Sequence, residues 1–231
     1  MLPEPLLTTR REDECDIPVL IWRTGRPVQA VSSAPLGGGI GVRQWVLNAT
    51  VPMSYDRNDP ADHLTEMARQ LGLDGPGVGL MTGVDVAEVA RRTDAGVQVW
   101  ATVGLGTPVP AAAPAVAAPA QRVGTVNIVA YVPARLGDAA LVNAVATATE
   151  AKAQAIGELG LPGTGTPTDT VTVLCPPDGP ADAYGGPRST WGAPLARAVH
   201  AAVRTVGGDT VVPWSDRLRG CLLSPDRRSF R

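Results

Sequence analysis

Apolar residues recur along this chain with two periods, and the alternation between the periods sets the expected fold. Ile17–Trp22 and Val28–Val31 are short apolar runs that predict two strands around a turn at Gly25. The second runs into a glycine-rich bend, SSAPLGGG (32–39). Val42–Val51 predicts a further strand, ended by Pro52. Asp59 and Pro60 then open a helix, because Asp caps and Pro suits the first turn. Leu64, Met67, Ala68 and Leu71 mark its buried face. Gly77–Met81 predicts a buried strand, Val86–Arg92 a short helix, and Val97–Val103 and Val126–Val132 two more strands.

Residues 138–159 have helical periodicity. At about 100° per residue, Leu141, Val145, Ala148, Ile156 and Leu159 share one face, with Asn143, Thr147, Glu150 and Gln154 roughly opposite. A strand over Thr170–Cys175 follows. The last helix carries the stripe Leu195, Val199, Ala202, Val206 and stops at Gly207-Gly208, and Val211-Val212 is read as a short edge strand. The alternation predicts an α/β fold, a mixed α/β layered sandwich in a single domain over residues 17–214. Residues 1–16 and 215–231 are expected to be tails. Residues 107–120, nearly all Ala, Pro and Val, are expected to be an exposed linker that carries no chemistry.

Composition narrows the function. A net charge of −2 and a pI near 5.7 argue against a nucleic-acid binder that works by bulk charge. No apolar run approaches the roughly 20 residues that span a bilayer. The acidic N-terminus lacks a secretory core, so a cytoplasmic protein is expected. Cys15, Cys175 and Cys221 show neither metal-ligand spacing nor an obvious disulfide framework. No His/Cys/Asp cluster has zinc spacing, so no metal site is expected. His63 and His200 have no nucleophile near them in sequence and read as surface or satisfied positions.

Of the twenty basic residues one alone, Lys152, is a lysine. Lysine can lose its proton when buried, whereas arginine cannot. Lys152 falls in the middle of the apolar face of its helix. Either its stem packs there and the amine reaches water, or the amine is buried for a purpose. Thr149 is three residues before it and can meet it on that face, whereas Glu150 points away. Asp169, at the head of the next strand, is the carboxylate placed to reach it. Three other segments are richer in polar and small residues than packing needs. Ser32, Ser33 and Gly38 belong to the glycine-rich bend, which is neither a phosphate-binding GK[ST] loop nor a GxSxG elbow. Asn127 interrupts an apolar strand and needs partners. Thr166, Thr168 and Asp169 crowd the loop GTGTPTD (163–169).

These segments, in this order, resemble the adenosylcobinamide amidohydrolase family of corrinoid salvage. The resemblance rests on SSAP (32–35), Asn48, VGLMT (78–82), GTVNI (124–128), TATEAK (147–152), GTGTPTD (163–169) and YGGPRSTWG (184–192). It covers roughly residues 30–206. The departures are TVGLG (102–106), which lacks an expected Asn, together with Pro167 and Ser189.

The resemblance implies hydrolysis of the amide that joins aminopropanol to the corrin ring, giving adenosylcobyric acid and 1-amino-2-propanol. For that chemistry the positions of these residues make Lys152, Asp169 and Glu150 the catalytic candidates: Lys152 held charged by an adjacent carboxylate to stabilise the oxyanion, and Asp169, with Glu150 in second place, to activate water. Ser32, Ser33, Gly38, Asn48, Thr125, Asn127, Thr149, Thr166, Thr168 and Tyr184 are then candidates for substrate binding. The small-molecule corrinoid brings the only cobalt, and no cofactor, nucleic acid or membrane partner is expected. A homodimer is compatible with the sequence. Two alternatives stay open: a non-catalytic corrinoid-binding protein, and a self-processing amidase with a threonine nucleophile, for which the Gly124-Thr125 step is suited.

Overall fold

A computed structural model describes residues 1–12, 14–52, 55–106, 108–114 and 124–207. Eight strands form one sheet with the order β4-β3-β2-β8-β7-β6-β5, and β1 pairs with β2 beside this path. The strands are β1 (Leu6–Glu12), β2 (Cys15–Ser32), β3 (Gly39–Thr50), β4 (Gly77–Thr82), β5 (Ala90–Asp94), β6 (Val97–Gly104), β7 (Thr125–Tyr131) and β8 (Thr170–Cys175). The helices are α1 (Pro60–Gln70), α2 (Asp138–Glu158) and α3 (Gly192–Gly207).

The sheet folds over on itself. Trp22 of β2 meets Trp100 of β6 edge to face, with ring centroids 5.9 Å apart, although β8 and β7 lie between those strands in the sheet. Alternating side chains therefore serve three cores. Val19, Ile21, Trp45 and Leu47 face α1. Leu20, Trp22, Val46, Leu80, Trp100 and Val129 fill the space between the two half-sheets. Val97, Val99, Ile128, Val173 and their neighbours face α2 and α3. The layers are thus α1, strands β1–β4, strands β5–β8, then α2 and α3: the expected α/β layered sandwich in one domain.

The two half-sheets share a plan. In each, an antiparallel pair (β2/β3 and β6/β7) is followed by a crossover helix and a parallel strand, α1 then β4 and α2 then β8. A crossover of this kind is the usual way to place a parallel neighbour.

Several expectations are corrected. The predicted turn at Gly25 is a bulge inside one 18-residue strand. The strand keeps the same partner, β3, on both sides of the step, Arg23 opposite Trp45 and Val28 opposite Arg43, so the Gly25-Arg26-Pro27 step bows out instead of reversing the chain. Residues 1–16 are not a tail: β1 pairs along β2 from Leu6 opposite Ile21 to Glu12 opposite Cys15. The predicted helix over Val86–Arg92 shrinks to a 3-10 turn, Val86–Glu88, and β5 follows. Asp59 precedes α1 without capping it; Arg57 takes its carboxylate at 2.8 and 2.7 Å. Cys15 and Cys175 are both buried, and Cys175 is a free thiol.

The linker is not detached at its start. Val109 exchanges backbone hydrogen bonds with Gly165 and Thr164 at 2.8 and 3.0 Å. Residues 110–114 are exposed, as expected of the linker, whereas residues 107 and 115–120, the C-terminal tail and Val211-Val212 lie outside the described residues. Among the described residues, no helix is long and apolar enough to cross a membrane.

Candidate functional site

Strand β8 begins at Thr170, so the loop before it delivers Asp169 to the end of the sheet where α2 passes. Among the residues α2 buries are Ala144, Ala148, Ala151, Lys152 and Ala155. The small alanines bring its axis close to β8 and β2, and Lys152 reaches from that face to Asp169. The side chains of the pair are 7% and 11% exposed, and Lys152 Nζ donates to Asp169 Oδ2. Asp169 also accepts from the backbone N–H groups of Val126 at 2.8 Å and Thr166 at 3.0 Å, and from the Thr166 hydroxyl. Two carboxylate oxygens offer about four acceptor positions, and all are used. Gly165 is required here, since a methyl group at its Cα would land on the Lys152 ammonium and the Asp169 carboxylate. The loop is therefore clamped from within.

Between the half-sheets, beside this clamp, lies a polar seam. Asn127 Nδ2 donates to Asn48 Oδ1 at 2.9 Å and to the Met81 carbonyl at 2.8 Å. Asn127 Oδ1 accepts from the Thr170 hydroxyl at 2.7 Å. Asn48 Nδ2 donates to Thr102 at 3.1 Å. This joins β3, β4, β6, β7 and β8 through side chains, and no amide of the two asparagines is wasted. Ser32 extends the seam through Thr172 at 2.8 Å. The Ser33 hydroxyl accepts from Val171 N–H at 3.1 Å. Thr125 and Thr168 share a hydroxyl contact of 2.7 Å, and Thr168 also donates to the Gly124 carbonyl at 3.2 Å.

A cleft of about 580 Å³ opens over the seam. Ser33, Thr82, Thr125, Thr168, Asp169 and Thr170 supply its polar surface. Val51, Met81, Pro35, Pro52, Pro60 and Pro167 make it largely apolar, and Tyr55 and Arg57 stand on the side nearest α1.

Other candidates lie elsewhere. Asn127 and Asn48 sit beneath the cleft, 1% and 2% exposed, and connect to it through Thr170 and Met81. Lys152 and Thr166 stand behind Asp169. Thr149 is exposed and bonds the Val145 carbonyl at 2.9 Å, so it does not meet Lys152: a helical hydroxyl finds its own preceding turn first. Glu150 is exposed beside a separate groove with Gln154 and His200, as its helical phase requires. Thr147, expected opposite the buried face, is 1% exposed and donates to the Gly185 carbonyl at 2.8 Å, because the 184–192 segment packs on that side of α2. Tyr184 is 76% exposed and Gly38 is exposed on its bend, and neither lines the cleft.

The sequence reading missed Tyr55 and Arg57, and it dismissed His63. His63 is 7% exposed. Its Nδ1 lies 3.1 Å from the Tyr55 hydroxyl, and its Nε2 lies 3.2 Å from Glu12 Oε1. Burial lowers its pKa from the ordinary histidine value, and Glu12 opposes that shift. Burial also raises the Tyr55 phenol. His63 is one of only two histidines in the chain. Its scarcity was the available signal, but its partner lies on a strand that looked like a tail. Among the described residues, no cluster of three or more His, Cys, Asp or Glu is placed to hold a metal ion.

Fold and cleft together define a single-domain layered α/β protein with a small-molecule cleft at the polar end of its inter-sheet core. Comparison with known proteins narrows this. A sequence profile of the adenosylcobinamide amidohydrolase family matches residues 4–209, and the chain belongs to that family. An adenosylcobinamide amidohydrolase of Methanosarcina mazei is 31% identical over 180 residues, which cover 74% of this chain and 86% of that protein. One from Halobacterium salinarum is 38% identical over 168 residues, covering 67% of this chain and 70% of that protein.

Proposed function

We infer that the chain hydrolyses the aminopropanol amide of adenosylcobinamide, releasing adenosylcobyric acid and 1-amino-2-propanol, as a cytoplasmic enzyme of corrinoid salvage. The observation that carries this reading, beside family membership, is the cleft itself. Its volume of about 580 Å³ lies in the range that buries a drug-sized ligand. That suits the amide-bearing arm of a corrinoid, with the macrocycle resting across the apolar mouth. The hydroxyls of Ser33, Thr125, Thr168 and Thr170 supply short donors and acceptors for the amide and its terminal hydroxyl.

Amide hydrolysis needs an attacking water, stabilisation of the tetrahedral oxyanion and a proton for the departing amine. In this reading the Lys152–Asp169 pair fixes the loop that presents Thr168, and the Lys152 charge favours the oxyanion from behind it. Asp169 is a weak choice for the base, because its four acceptor positions are occupied. The substrate's own cobalt is the only metal the reaction calls for. A threonine nucleophile is the second reading, favoured by the Thr125–Thr168 hydroxyl pair within the cleft.

Incubation with adenosylcobinamide, followed by mass spectrometry, tests the assignment. Appearance of adenosylcobyric acid and aminopropanol supports it. A corrinoid that binds and stays intact assigns a carrier instead. A product-sized adduct on Thr125 or Thr168 after quenching assigns a covalent route.

A further inference from the structure

The side of the cleft nearest α1 holds a chain of polar groups that the clamp does not use. The Tyr55 and His63 rings are nearly parallel, 7° apart with centroids separated by 5.7 Å, and the hydroxyl meets Nδ1 at 3.1 Å. Behind His63, Nε2 faces Glu12 at 3.2 Å. Arg10 grips the other oxygen of Glu12 at 3.0 and 2.7 Å. Arg10 is itself 4% exposed and anchored on the Thr50 carbonyl at 2.9 Å. The chain Arg10–Glu12–His63–Tyr55 thus runs from β1, through α1, to the surface of the cleft.

Chemistry fixes the direction of these bonds. An ionised Glu12 only accepts, so Nε2 carries a hydrogen. In the neutral ring, Nδ1 is then the acceptor and the Tyr55 hydroxyl donates to it. In the imidazolium, Nδ1–H donates to Tyr55 instead. The phenol oxygen can therefore pass a proton in either direction while Glu12 holds the ring and balances its charge. A histidine of α1 that only packs has no need of a half-buried, arginine-anchored carboxylate behind it.

We propose that Tyr55 is the group that moves protons at the reacting amide, with His63 acting through it as the proton store and Glu12 as its orienter. The proposal rests on the amidohydrolase reading. As water attacks the carbonyl carbon, one of its protons passes to the Tyr55 oxygen while the Tyr55 proton passes to His63 Nδ1. The new C–O bond leaves a tetrahedral oxyanion and an imidazolium. In the second step Nδ1–H returns its proton to Tyr55, and Tyr55 donates to the amine nitrogen as the C–N bond breaks. The carboxylic acid formed gives its proton to solvent, and His63 ends neutral.

The groups that face His63 are Arg10 and Glu12 from β1 and Tyr55, Arg57 and Asp59 from the segment entering α1. Burial is the largest influence on the ring and keeps it neutral; Arg57 and Arg10 act in the same direction, while Glu12 and Asp59 act against it. That suits a group that must first accept a proton.

The test compares wild type, Tyr55→Phe and His63→Gln on adenosylcobinamide, with kcat and KM measured from pH 5 to 9 and folding checked by circular dichroism. Tyr55→Phe keeps the ring and its packing. Its kcat is expected to fall by about a hundredfold or more, the usual worth of general acid–base help, with KM little changed. In wild type, kcat/KM should fall on the acid side as His63 becomes protonated, and His63→Gln should lose that limb along with most of kcat. A Tyr55→Phe enzyme with wild-type kcat, or a loss confined to KM, overturns the relay. So does a His63→Gln pH profile that keeps the acid limb. A wild type that makes no product overturns the amidohydrolase reading itself, and the relay with it. Should Tyr55→Phe fail to fold, the nitrogen NMR titration of His63 in wild type decides. A midpoint that matches the acid limb supports the relay, and a mismatch sinks it.

Discussion

The two half-sheets follow one plan, yet their crossover helices bury different chemistry. Each helix sets one buried basic side chain against a carboxylate: α1 sets His63 against Glu12, and α2 sets Lys152 against Asp169. The α2 pair is an ammonium with a carboxylate whose acceptor positions are all filled. The α1 pair holds an imidazole, whose pKa burial lowers from the ordinary histidine value, and it keeps one nitrogen turned to a phenol in the cleft. One half holds a loop still, and the other exchanges protons. The lesson is that a shared scaffold fixes where a buried basic group goes, while its chemical type decides whether that place is a clamp or a switch.

The largest expected break of this comparison is Lys152→Met. It strands the Asp169 carboxylate in a nearly closed site, and removing one partner of a buried ion pair costs about 3–5 kcal/mol. Urea denaturation should show that loss, together with a collapse of turnover. Adding Asp169→Asn should recover part of the stability and none of the activity. Equal stability of Lys152→Met and wild type would show that the pair is no clamp.

Next in size is the seam that joins the halves. Asn127→Ala leaves the Thr170 hydroxyl, Asn48 Oδ1 and the Met81 carbonyl short of a partner, and each unsatisfied buried group costs about 1–3 kcal/mol. A melting temperature within error of wild type would mean that water replaces the amide.

The α1 half should answer to pH through His63. Burial holds the folded His63 pKa below its unfolded value of about 6.5. The unfolded chain then binds the extra proton first, so stability is complete above about 6.5 and declines as pH falls from there through the folded value. His63→Gln should flatten that slope in denaturation curves between pH 7 and 5, whereas Lys152→Met should leave it in place. The smallest effect is expected from Tyr55→Phe, whose stability should stay within about 1 kcal/mol of wild type because a half-buried phenol loses one hydrogen bond.

The α2 half was the more legible of the two in the sequence. Lys152 stood out as a lone lysine on an apolar helical face, and Asp169 headed a clean β-branched run that became β8 as predicted. Both signals are local. The α1 half hid its chemistry because its pairs are made across the sheet. In β1 the usual pattern is inverted: Leu6 and Leu7 are 57% and 49% exposed while Arg10 is buried. No periodicity reading finds a strand whose arginine points inward, so Glu12 could not be placed beside His63. The bulge at Gly25 was misread for a similar reason. Whether a glycine reverses a strand or bows it depends on the partner β3, which lies outside the window that periodicity sees.

The long strand β2 has a consequence for how the chain assembles. Its first part pairs with β1, but its last four positions pair with β8, Ser32 meeting Thr172. Closing the sheet therefore waits for a partner about 140 residues later in the chain. Such distant pairings make folding slow, because the entropy of closing the loop is lost before any contact is gained. During synthesis the C-terminal end of β2 is an open edge until β8 emerges, and open edges invite pairing with other chains. A chain truncated before Thr170 should accordingly collect as aggregate rather than as a folded N-terminal half.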